Sequence, residues 1–130
     1  MALEVSYTGS LSFTKKTTDD LLRGTETARV DIGGSDSSSY SLYYQDILSL
    51  TAGTPQTIDL AAEGFTTVSF IVVKGTSGSG TLTISHGTSQ SFIIPANGGF
   101  VHCHINDSAA TLTIDPGADD AACQLLVIGS

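Results

Sequence analysis

The chain has 130 residues, about one domain's worth, with 40% hydrophobic content, enough for one core, and a formal net charge of −8. Five Lys and Arg against 13 Asp and Glu argue against nucleic acid as a partner, because phosphate binding draws on clustered cations. The opening MALEVSYTGSL lacks the basic start and apolar run of an export signal, and the longest apolar run, Phe70 to Val73, is far too short for a membrane helix. The expectation is a soluble protein that does not associate with membranes.

Residues 1–39 read as an N-terminal arm that ends in a polar linker, and residues 40–130 as a β-domain. Alternation at Val5 to Phe13 and Ala28 to Ile32 suits extended chain, and TTDDLLRG is the best helical candidate, with Thr18 as cap and Gly24 as stop. The run Gly33 to Ser39, GGSDSSS, has the composition of a flexible linker. Such an arm gains order by pairing with its own domain or with a neighbouring copy. Lys15, Lys16, Arg23 and Arg29, four of the five cations, lie in it and are candidate assembly contacts.

From Ser41 the chain becomes a series of short runs punctuated by Gly, Pro, Asn, Asp or Ser: SLYYQDILSL, QTIDLA, TVSFIVVK, GTLTIS, QSFIIP, GFVHCHI, ATLTID and CQLLVIG. This predicts an all-β fold, a β-sandwich or jelly roll of about seven to nine antiparallel strands with an extended N-terminal arm. GTLTIS and ATLTID alternate cleanly, with Leu82, Ile84, Leu112 and Ile114 inward. TVSFIVVK is apolar on both alternations, with Val68, Phe70 and Val72 on one side and Ile71 and Val73 on the other. It suits a strand covered on both faces, or one whose second face meets a neighbouring subunit, and Ile71 and Val73 are the candidate contacts there.

In FVHCHIND, His102 and His104 share one strand face, while Val101, Cys103 and Ile105 share the other and read as core. Two imidazoles fall short of the three or four ligands zinc needs, so the expectation is no metal and no cofactor. The sharper alternative is symmetry, three chains placing His102 and His104 around a common ion. Cys103 and Cys123 read as buried free thiols, with a disulfide open only if their strands are neighbours.

Ser85 and His86 offer a nucleophile and a base by composition alone, no GxSxG elbow is present, and the chain does not read as an enzyme. Asp115, Asp119 and Asp120 in DPGADD lack the alternating ligands of a calcium loop and read as an acidic turn. Tyr40, Tyr43 and Tyr44 form an aromatic cluster that suits either strand packing or a platform for a glycan.

The order of features from Tyr44 to the C-terminus carries a resemblance. Leu50, Ala52, Gly53, Asp59 and Leu60 are followed by Val68, Phe70, Val73 and Lys74, then Gly98, Gly99 and Phe100, and finally Val127, Ile128 and Gly129. This order resembles small structural proteins of tailed bacteriophages. The resemblance covers about two thirds of the chain, and the short loop between Asp59 and Thr66 and the N-terminal arm depart from it. It implies a homo-oligomeric virion part without an active site, a capsid decoration or cement protein bound to the major capsid protein or other virion proteins. The alternative, motivated by the Tyr40, Tyr43 and Tyr44 cluster, is a tail, fibre or spike component that binds a host-surface glycan or receptor.

Overall fold

The computed structural model describes the backbone of residues 3–14, 27–88 and 90–130, and the side chains from Tyr40 onward except Ser89. The chain divides into two compact units, residues 2–38 and residues 39–130. In the first, β1 (Leu3–Thr14) pairs with β2 (Thr27–Tyr40), which runs on into the second unit. Gly33 to Ser39, a linker by composition, is strand within β2. The helical candidate TTDDLLRG and the contact candidates Lys15, Lys16 and Arg23 lie outside the described residues, and Arg29 is placed in β2 by its backbone alone.

Residues 39–130 form one curled antiparallel sheet of β3 (Leu42–Leu50), β4 (Gln56–Asp59), β5 (Thr67–His86), β6 (Gln90–Ser108), β7 (Thr111–Asp115) and β8 (Ala121–Gly129). The eight runs of the sequence become six strands, because TVSFIVVK and GTLTIS are one strand, as are QSFIIP and GFVHCHI. β5 pairs with β6 along nearly its whole length, while its other edge pairs first with β8 and then with β7. The sheet therefore has two halves, ordered β3-β8-β5-β6 and β6-β5-β7-β4, which share one core.

The punctuation GTSGSG and PANGG bends the two long strands rather than ending them. Register shifts interrupt the β5–β6 pairing between Lys74 and Thr81, and this is where the strands pass from one half to the other. A Cβ on Gly75 would collide with the carbonyl oxygen of Ala96 and lie 2.6 Å from that of Pro95, so only a glycine lets the two backbones meet here.

Leu82, Ile84, Leu112 and Ile114 are fully buried, as their alternation predicts, and join Leu48, Leu60, Val73, Leu125 and Val127 in the core. Ile71 and Val73, expected at an assembly contact, belong to this core at 1% and 0% exposure, so their partners lie within the chain. The predicted grouping of Val68 with Phe70 and Val72 also fails. A register shift at Ser69, against both β6 and β8, puts Val68 on the core side with Ile71 and Val73. Asn106, at φ 47°, marks the matching irregularity in β6.

Gly75→Ala is expected to lower stability in urea unfolding by more than about 2 kcal/mol, because the obstructing atoms are backbone. Gly53→Ala, at φ 68° with no atom within 4 Å of the new Cβ, should cost only about 1 kcal/mol. Equal losses would show that the close approach is not what requires glycine at Gly75.

Candidate interaction face

Cross-strand register arranges the outward side chains of the first half in three rows. Tyr43, Ile128, Phe70 and His104 form one; Gln45, Leu126, Val72 and His102 the next; Ile47, Gln124, Lys74 and Phe100 the third. Lys74 is the one residue of formal charge in these rows, and none carries a carboxylate. Tyr43, Ile47 and Phe100 are 60%, 70% and 57% exposed.

The second half presents a different outer face. Thr57, Thr113, Ser85 and Ser91 lie in one cross-strand row, with the Thr57 and Thr113 hydroxyls 3.4 Å apart and Ser85 Oγ donating to Ser91 Oγ at 3.5 Å. In the neighbouring row Thr83 lies between Ile93 and Asp115. A hydroxyl ladder of this kind suits water; the apolar rows of the first half do not.

Phe70 organises the apolar face. Its ring stacks on His104, with centroids 4.4 Å apart and planes 9° apart, and on His102, at 5.4 Å and 15°, while Tyr40 meets it edge-on at 5.4 Å. These contacts leave Phe70 only 4% exposed although it points away from the core. The face that carries His102 and His104 is thus aromatic and apolar. Loss of water holds the His102 imidazole below its ordinary pKa, and the neighbouring His104 adds to the effect. Among the described residues no three His, Cys, Asp or Glu side chains are grouped as a metal ion would need.

The other candidate residues fall in separate places. Tyr40 is buried against Phe70, Tyr43 is exposed, and Tyr44 turns to the core side of β3, where its hydroxyl donates to Asp46 Oδ2 at 3.2 Å. Strand alternation therefore divides the tyrosines between two faces. Burial, with the Asp46 carboxylate second, raises the Tyr44 pKa. Asp115 accepts the Gly117 N–H and Asp120 that of Ala52, both at 2.8 Å, so these two acids of DPGADD brace loops.

Cys103 packs against the core as predicted, its thiol 3.6 Å from the Ile71 carbonyl; Cys123 is fully buried, and burial raises its pKa to about 11. Both are free thiols. Ser85 and His86 do not form a nucleophile and base pair, because Ser85 lies on the hydroxyl face and His86 is 2% exposed on the core side. Sequence reasoning missed His86 as a structural feature. Neither ring nitrogen has a hydrogen-bond partner among the described residues, nor does Oε1 of Gln90, directly across the β5–β6 hairpin. A histidine closing an otherwise alternating strand, in TLTISH, was the available signal.

Compared with known proteins, the chain matches no protein-family model, no curated protein and no solved structure.

Phe70→Ala is expected to lower stability by about 3 kcal/mol, since it deletes a buried ring together with three ring contacts. His104→Ala should cost much less, because that ring is exposed. Urea unfolding of both variants checks the order, and the reverse would remove Phe70 from the centre of the face.

His86 makes stability depend on pH. Burial lowers its pKa in the folded chain, Asp107 opposing weakly, whereas the unfolded imidazole takes up a proton near about 6.5. The unfolded state then binds more protons below that pH, so stability is full above it and falls as the medium is acidified. The melting temperature is expected to drop between about pH 7 and about pH 5, and to drop less in His86→Met. Parallel pH profiles for the two proteins would exclude His86 as the cause.

Proposed function

We propose that this chain is a structural protein of a tailed-bacteriophage virion, most specifically a capsid decoration or cement protein. In this reading residues 40–130 form a β-sandwich of jelly-roll type and residues 1–39 an arm. The protein is assembled in the host cytoplasm and works through contacts with the major capsid protein or other virion proteins, with no catalysis.

The observation that carries the proposal is the contrast between the two outer faces, one a hydroxyl ladder and the other apolar with exposed Tyr43, Ile47 and Phe100. An apolar face held on a rigid sheet suits docking, and on a shell many weak copies of one contact add up through multivalency. The order of residues from Leu50 to Gly129 that resembles phage structural proteins gives the virion part of the reading.

Shells lacking the protein, mixed with purified chain and sedimented, provide the test. The chain is expected in the pellet, with shells that withstand heating better than bare ones, and Phe100→Asp is expected in the supernatant. Chain left in the supernatant and no gain in heat resistance would overturn decoration. Cosedimentation with tails instead would move the same contact chemistry to a tail, fibre or spike position.

A further inference from the structure

We infer that the apolar outer face of β3, β8, β5 and β6 is a self-association surface, and that its occupant is the same face of a second copy of this chain. The inference uses the face named in the proposed function, which pairing covers in the free chain and for which a shell would compete, and it holds whether or not the chain belongs to a virion.

Charge selects the occupant. Residues 40–130 carry seven acids, Asp46, Asp59, Glu63, Asp107, Asp115, Asp119 and Asp120, against Lys74, so two copies meet at a cost wherever carboxylates face carboxylates. Asp115 lies on the hydroxyl face, and Asp59, Glu63, Asp119 and Asp120 lie in or beside the loops. The three apolar rows contain none of them. Among the groups facing a partner there, from Tyr43 on β3, through Leu126 and Ile128 on β8 and Phe70, Val72 and Lys74 on β5, to Phe100, His102 and His104 on β6, only Lys74 has a fixed charge. Its long side chain can carry that charge to the rim. An isologous pair places like surface on like surface, which suits a face whose centre is aliphatic, at Val72 and Leu126, and whose exposed margins are Tyr43, Ile47 and Phe100.

Size sets the strength. Four strands about 4.8 Å apart and three rows about 6.7 Å apart make a flat patch on the order of 400 Å². That is about half the roughly 800 Å² per partner of a standard stable interface. The contact is therefore a weak, reversible one.

Sedimentation equilibrium of the full chain from about 10 µM to about 1 mM, near neutral pH, tests the inference. The weight-average mass is expected to rise with concentration from the monomer's 13.4 kDa towards twice that value. Ile47→Asp and Phe100→Asp, at exposed positions, should each weaken association at least about tenfold. Ile93→Asp, equally exposed on the hydroxyl face, should leave it unchanged, and circular dichroism of each variant checks that the sheet is intact. A monomer at every concentration, or association that Ile93→Asp abolishes while the other two do not, would overturn the proposal. Chain that stays monomeric yet binds shells would overturn self-association and leave the virion reading standing; a chain that pairs but binds no shell would do the reverse.

Discussion

The structure depends on the pairing of β5, a 20-residue strand that is hydrogen-bonded to β6 on one edge and to β8 and then β7 on the other. Two strands of this length cannot curl around one core unless both bend at the same place. Gly75 meets the backbone at Pro95 and Ala96 there, and the register shifts between Lys74 and Thr81 absorb the change of direction. The bend gives the chain two outward surfaces from one sheet. Leu50, Leu82, Ile114, Leu125 and their neighbours fill the space enclosed.

The two outward surfaces then follow from side chains alone. Hydroxyls opposite hydroxyls satisfy one another and water equally well, so the second half is a conventional solvent face. In the first half Phe70 has nowhere to go but outward, because the bulge at Ser69 has already assigned Val68, Ile71 and Val73 to the core. It is covered by Tyr40 and by two imidazoles, side chains that combine an apolar ring with polar edges. His102 and His104 serve the packing of an outward aromatic ring. An acidic chain that leaves one face free of carboxylates has kept that face compatible with a close neighbour.

His86 belongs to a different part of the physics. It ends the inward series Leu82, Ile84, His86, and the strand period places it in the core whatever its polarity. Without a partner for either nitrogen among the described residues, it is tolerable only while neutral. The β5–β6 hairpin therefore carries an acid-sensitive group beneath its turn.

The sequence by itself determined what is local. Alternation with a period of two identified Leu82, Ile84, Leu112 and Ile114 as core and set Cys103 apart from His102 and His104, because neighbouring strand residues must point to opposite faces. The apolar and polar runs likewise established an all-β chain. Whether GTSGSG and PANGG end strands or bend them was not legible, since glycine permits both and the choice rests on backbone from a distant part of the chain meeting Gly75. Nor could the composition of TVSFIVVK say which face is core. Phe70 and Ile71 are both apolar, and the decision came from the extra residue at Ser69, which exists only as a mismatch with β8. Local period is a property of the backbone, but register and exposure are properties of the neighbours, and these the tertiary structure alone supplied.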